Sequence, residues 1–221
     1  MKKIVLLLCF ALLTAVLSAC SPDSEPFVKK NYGAEPGEIL GITVDVRDRQ
    51  LEVQPSEDGS LSIDYSESDK EFYEISVSAE GMLTMKSSYN KSWQDYIGSK
   101  PSAADRIITL HVPDALLTSL KLTTTNEEIK LAPLSVSGDV FLSSNGGNIG
   151  FEALDAGNSI TIECKDGDIS GSVSGAYEEF AVTSEIKKGE SNLPTAKDGE
   201  IKELNVRNNN GNIKIDFTGT K

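Results

Sequence analysis

From Leu120 to Phe217 the chain repeats itself. Paired apolar residues recur as Leu120/Leu122, Val140/Leu142, Ile160/Ile162, Phe180/Val182 and Leu204/Val206, at steps of 20, 20, 20 and 24 residues. A second column follows seven residues after the second member of most pairs: Ile129, Ile149, Ile169 and Ile213. In the fourth repeat two extra residues put Ser191 and Leu193 where Ile169 and Gly171 stood, and Leu134 and Leu154 form a third column. The turns Gly146-Gly147-Asn148, Asp166-Gly167-Asp168 and Asn210-Gly211-Asn212 separate the columns. Strict alternation, as in Ser159-Ile160-Thr161-Ile162-Glu163, sends successive side chains to opposite faces of a strand, and helical spacing is absent. Self-similarity at a period of about 20 to 50 residues marks stacked coils. A single coil cannot bury its inner face, so stacking at about 4.8 Å supplies the core. The pattern predicts an all-β fold, a parallel β-solenoid or β-helix of about 20-residue rungs over residues 119–217. Leu142 should stack between Leu122 and Ile162, Thr161 should face out, and the turn glycines should supply positive φ.

Residues 1–19 read as an export signal. Lys2-Lys3 precede an apolar run, Ile4 to Leu17, that is short for a membrane span. It ends in Leu17-Ser18-Ala19-Cys20, which resembles the bacterial lipobox; that resemblance implies lipid on Cys20 and a chain anchored to the cell membrane, or to an outer membrane where one exists. Ser21 is not the Asp that resembles an inner-membrane retention signal. Residues 20–37, with Pro22, Pro26 and Pro36, read as the lipidated Cys and a flexible tether. Only Cys164 then remains of three cysteines, so no disulfide can form within the exported chain. The formal charge is −13, and losing Lys2 and Lys3 takes it to −15, which argues against nucleic acid and against an anionic bilayer as electrostatic partners.

Residues 38–118 alternate in short runs, among them Ile42/Val44/Val46, Leu51/Val53, Leu61/Ile63/Tyr65 and Ile108/Leu110/Val112. Their spacing is too irregular for the 20-residue register. They predict antiparallel or mixed strands that cover the N-terminal end of the stack. Residues 86–104 interrupt them with a loop holding Tyr89, Trp93 and Tyr96, a candidate binding loop because long unstructured connections are often functional.

The lipobox, the N-terminal strand set, the segment Ile107-Ile-Thr-Leu-His-Val-Pro113 and the Asn-Gly-Asn-Ile turns together resemble the bacterial putative-adhesin family. That resemblance spans about Gly41 to Phe217 and implies an exported or membrane-attached β-solenoid domain of unknown function. The first repeat departs from it, with Asn126-Glu127-Glu128 lacking Gly, and the fourth carries Lys188-Gly189-Glu190.

Little in the chain suggests chemistry. His111 is the only histidine and should point outward between Leu110 and Val112. Cys164, with no evident base, reads as a small inward residue at a strand end. Glu128, Asn148, Asp168, Glu190 and Asn212 precede the second column and, stacked, would form an oxygen ladder of the kind calcium favours. The same ladder could instead bond neighbouring backbone. Phosphate-cradling loops are absent, and no cofactor is expected. A polysaccharide lyase or hydrolase would need paired acids, whereas the outward Asp139 and Glu163 have Ser119, Thr123, Ser143 and Ser159 as neighbours. The balance favours a non-catalytic binding or scaffolding module with an envelope glycan or protein ligand. The last coil, ending at Phe217, lacks a cap, which suggests end-to-end self-association through the C-terminal coil.

Overall fold

The computed structural model describes residues 26–35, 37–96, 100–114, 117–199 and 201–219, the side chains of Gln94 and Tyr96 excepted. The export signal and Cys20 lie outside the described residues. The N-terminal strands are β1 (Val28–Ala34), β2 (Gly41–Asp45), β3 (Gln50–Pro55), β4 (Leu61–Glu67), β5 (Glu71–Val77), β6 (Met82–Tyr89) and β7 (Ile107–Val112). Next come β8 (Ser119–Thr124), β9 (Ile129–Leu131), β10 (Leu134–Val136), β11 (Asp139–Ser144), β12 (Ile149–Ala156), β13 (Ser159–Asp166) and β14 (Ile169–Val173). The last four are β15 (Phe180–Lys188), β16 (Ala196–Lys197), β17 (Lys202–Asn210) and β18 (Ile213–Phe217).

These strands make an all-β fold of two mixed sheets. One runs β1-β4-β7-β3-β9-β12-β14-β18, with β10 beside β12; the other runs β16-β15-β17-β13-β11-β8-β2-β6-β5. From β6 to β14 the chain alternates between the two sheets, β9 and β10 sharing one, and the alternating apolar residues meet between them. Leu142 pairs in register with Leu122 and Ile162 and is fully buried. Ile129, Ile149 and Ile169 stack in register as the spacing predicts, and Ile213 pairs with Ile169 directly, with Ser191 on its far side instead of between them.

Rungs offset by 20 residues run only through β8, β11 and β13 and their partners. Beyond β13 the chain order and the spatial order part: β17 pairs with β13 and β15 lies outside it. The register shifts as well, because Val182 faces Leu204 while Phe180 faces Lys202. The reason lies in residues 189–199. This insertion folds over the end, where β16 pairs antiparallel with β15 and Leu193 is buried, so the coil carrying it must be outermost. The compact coil β17–β18 then fills the gap.

The C-terminal coil is therefore covered by β15 on its β17 side, so the expectation of a bare terminal coil fails there, while β18 is the last strand of its sheet. Asn192 covers the free edge of β18: its amide nitrogen donates to the Ile215 carbonyl (2.8 Å), and its oxygen accepts from the Ile215 N–H (3.0 Å). Phe217 folds under, edge-on to Tyr177 and Phe180.

The N-terminal end repeats this arrangement. The compact coil β2–β3 sits inside β6–β7, with β2 parallel to both β6 and β8 and β3 parallel to both β7 and β9. Antiparallel β4 and β5 lie beyond. No boundary therefore falls at residue 118, because the same two sheets run through it. The tether reading also fails over Val28–Ala34, which is a strand along β4. Its mostly exposed residues hide it from an apolar-period reading, and backbone pairing with β4 holds it instead.

The turn glycines act differently from the expectation. Gly211 has φ 129°, but Gly147 and Gly167 do not adopt positive φ. They are needed because a Cβ on Gly147 would run into the Glu127 carbonyl, and one on Gly167 into the Gly147 carbonyl. Beside this glycine column runs a buried column of small donors. Thr124 donates to the Arg49 carbonyl (2.7 Å), Ser144 to that of Glu127 (3.1 Å), Cys164 to that of Gly147 (3.5 Å) and Asn208 to that of Gly167 (2.9 Å). Arg49 thus occupies, one coil further out, the corner position of Glu127, Gly147 and Gly167.

Candidate functional site: a basic corner pocket

At that corner the repeat changes. In the coil β6–β7 a long segment from Asn90 to Arg106 replaces the tight turn. The space left is a pocket of about 290 Å³. Arg47, Arg49, Lys91, Lys100 and Arg106 line it. They share it with three acids, Asp48, Glu71 and Asp95, and with Tyr89.

Arg49 is the anchor of the site, with only 3% of its surface exposed. Its Nη2 donates to Glu71 Oε2 (2.6 Å), its Nε to the Tyr73 hydroxyl (2.6 Å) and its Nη1 to the Asp48 carbonyl (3.1 Å). Lys91 Nζ reaches the other Glu71 oxygen at 2.6 Å. Burial alone would raise the Glu71 carboxyl, but the bonds from Lys91 and Arg49 outweigh it and hold it below its ordinary value. Burial pushes the Tyr73 hydroxyl up to about 12, so it stays a neutral partner for Arg49.

The supporting turns are fixed locally. Asp48 takes a left-handed φ of 51°, which Asp tolerates better than most residues. Its backbone N–H donates to Thr125 Oγ1 (2.9 Å) and its carboxylate accepts from Asn126 (2.5 Å). Two short 3₁₀ turns, Trp93–Tyr96 and Ala104–Arg106, shape the long segment. Each holds the Asp of a Ser-x-x-Asp pair: Ser92 donates its hydroxyl to Asp95 (2.7 Å), and Ser102 donates its own to Asp105 (2.6 Å). Bonds from Lys70 and Ser92 hold the Asp95 carboxyl at about 2. Arg106 pairs with Glu127 of the next coil.

Of the candidate binding loop, Tyr89 lines this pocket and is 37% exposed, and Trp93 stands 72% exposed beside it. The side chain of Tyr96 lies outside the described residues. A larger depression of about 530 Å³ crosses the other sheet, where Gly150 and Ser170 leave room. Its rim is acidic, with Glu52, Glu128 and Glu152, and its Lys130 is already paired with Glu128 (2.9 Å).

The remaining sequence candidates fall into structural roles. The oxygen ladder stacks, and three of its side chains bond the backbone of the neighbouring coil. Asn148 Oδ1 accepts from the Asp168 N–H (2.9 Å), Asp168 Oδ1 from that of Asn212 (2.7 Å), and Asn212 Oδ1 from that of Glu190 (3.0 Å). Among the described residues no group of three His, Cys, Asp or Glu is placed to hold a metal ion. Cys164 is buried, and desolvation pushes its thiol up to about 11, the opposite of a nucleophile's setting. His111 is half-buried and faces Asp64, with Nε2 at 3.3 Å. Asp139 accepts from Ser159 (2.6 Å), and Glu163 stands between Ser143 and Arg207, so the outward acids do not pair.

Residues 39–221 match the family model described as Toastrack DUF4097. The chain belongs to the Toastrack family. Among solved structures, this Toastrack chain is similar to a "putative cell adhesion protein" from Clostridium sporogenes, at 14% identity and TM-score 0.63, with 87% of this chain and 100% of that one covered. A "putative adhesin" from Bacteroides fragilis aligns at 13% identity and TM-score 0.47, over 87% and 98%. A "putative lipid binding protein" from Parabacteroides distasonis aligns at 12% identity and TM-score 0.31, over 86% and 97%. Among curated proteins, none matches the sequence.

Sequence reasoning missed the cations of the Toastrack corner pocket. They come from the β2–β3 turn, from the loop after β6 and from the approach to β7, and only the parallel placement of β2–β3 against β6–β7 brings them together. The usable signals were Arg47-Asp48-Arg49 at a tight turn and the two Ser-x-x-Asp pairs that order the long loop.

Proposed function

We propose that this Toastrack chain is a non-catalytic module of the bacterial cell envelope, a parallel β-solenoid held at the membrane by lipid on Cys20 and serving binding or scaffolding. The basic corner pocket carries the reading. It is the place where charged groups, an exposed aromatic ring and a concave surface coincide, while Cys164, His111 and the oxygen ladder serve the fold. The fold shared with the "putative cell adhesion protein" of Clostridium sporogenes supports a surface role. The tetrapeptide Leu17-Ser18-Ala19-Cys20 supports the anchor.

The anchor is tested by radiolabelled palmitate. Label should enter the wild-type chain and be lost from Cys20→Ala; equal labelling of both removes the anchor. The binding role is tested by presenting the protein to peptidoglycan, teichoic acids and host glycoproteins. Saturable binding that weakens in Trp93→Ala supports the module, and turnover of a glycan polymer would instead make it an enzyme.

A further inference from the structure

The N-terminal stretch enters the fold at the corner that holds the basic pocket. The Arg49 guanidinium lies over the Phe27 ring, 5.9 Å from its centroid, and β1 begins at the next residue. An extended chain spans about 3.5 Å per residue, so Cys20, seven residues earlier, lies within about 25 Å of that ring. With lipid on Cys20, the pocket can stand no further than that reach from a membrane surface.

Charge then decides which face can approach. Without Lys2 and Lys3 the lipid-bearing chain carries −15 overall, and an anionic leaflet repels it. The pocket reverses the sign locally, with five cations against three acids. Each of those acids is engaged: Asp48 by Asn126, Glu71 by Arg49 and Lys91, and Asp95 by Lys70 and Ser92. Arg47 and Lys100 are exposed on the pocket wall and form no ion pair among the described residues. Arg106 Nε is a buried donor without a hydrogen-bond partner among the described residues. Tyr89 and Trp93 flank the site, and such rings favour the boundary between headgroups and acyl chains.

We propose that the pocket framed by Arg47, Arg49, Lys91, Lys100 and Arg106 takes the phosphate of an anionic phospholipid headgroup. Lipid and pocket together then fix the basic corner towards the bilayer and the acidic remainder away from it. This rests on the anchor reading, and the two can fail separately.

Trp93, the single tryptophan, reports on the contact. The lipoprotein purified from bacterial membranes is reconstituted into neutral phosphatidylcholine vesicles or into vesicles that also contain phosphatidylglycerol. Flotation with neutral vesicles reads the anchor. Acrylamide quenching of Trp93 reads the pocket, and it should fall roughly twofold in the anionic vesicles, where the ring reaches the interface. Arg47→Ala with Lys100→Ala should abolish that protection without changing flotation. Both side chains are exposed, and an unchanged urea midpoint confirms that the variant folds.

Equal quenching in the two vesicle types overturns the proposal. Protection by glycerol phosphate or inorganic phosphate, with none from anionic vesicles, overturns it in favour of a small soluble ligand. If the protein does not float with neutral vesicles, the anchor reading fails alone. Co-sedimentation with anionic vesicles then tests the pocket. Each basic residue near such a surface strengthens binding by about fivefold, so the double substitution should weaken it about 30-fold; an unchanged affinity overturns the proposal.

Discussion

Leu142→Ala should lower the stability of the fold by about 2–5 kcal/mol, read from urea unfolding at neutral pH. Leu142 is fully buried, stacked in register between Leu122 and Ile162 at the middle of the coil column. Truncation removes buried apolar surface and leaves a hole that two flanking coils cannot close. The backbone ladders on both sides hold the strands at their spacing, so the site resists collapse, which favours the upper part of the range. Thr161 is the internal comparison. It lies one strand over on the outer face, in register with Phe141 and Asn205 and only partly buried. Thr161→Ala should change stability by under about 1 kcal/mol. Equal losses at the two positions would mean that the inner and outer faces of these strands are assigned the wrong way round.

Leu142 shows how much of the fold could be read before any coordinates. Period-two alternation fixes which face is buried, and repetition at 20 residues fixes the stacking of Ile129, Ile149 and Ile169, whereas Ile213 pairs with Ile169 directly and Ser191 lies beyond it. The order of the outer coils was not legible. Leu204 can sit on Val182 or on Ile160 with the same apolar pattern satisfied, and here it does both, because β17 lies between β15 and β13. What decides the order is which coil carries a covering segment, and that is a property of the polar residues 189–199 rather than of the repeat. Asn192 illustrates the point: its amide completes the backbone bonding of β18, a role that no local pattern announces. The site divides in the same way. An aromatic-bearing loop of unusual length pointed to Tyr89 and Trp93, whereas Arg49 and Glu71 are 22 residues apart and meet only through sheet pairing.

Glu71→Ala should be among the most damaging single changes in the N-terminal half. Arg49 is 3% exposed, and Glu71 is its carboxylate partner at 2.6 Å. Removing that carboxylate leaves a guanidinium charge buried in the corner, with only the Tyr73 hydroxyl and the Asp48 carbonyl as acceptors. Breaking a buried pair from one side costs about 3–5 kcal/mol, mostly the desolvation of the charge left behind. Exchanging Arg49 and Glu71 together for Met and Leu removes both charges, so the double variant should recover much of the loss. The pair also gives stability a pH dependence of defined sign. Burial raises the Glu71 carboxyl, and the bonds from Lys91 and Arg49 more than reverse this, so its folded pKa lies below the ordinary 4.5. A carboxyl with a depressed folded pKa contributes stability that is present above its unfolded value and is lost as pH falls through the folded one. Urea unfolding of the wild-type protein between neutral pH and about pH 3 should therefore show a loss that Glu71→Ala lacks in part. Wild-type and variant curves that stay parallel down to acid pH would show that Glu71 binds its proton equally well folded and unfolded, and that the Arg49 pair does not hold this corner.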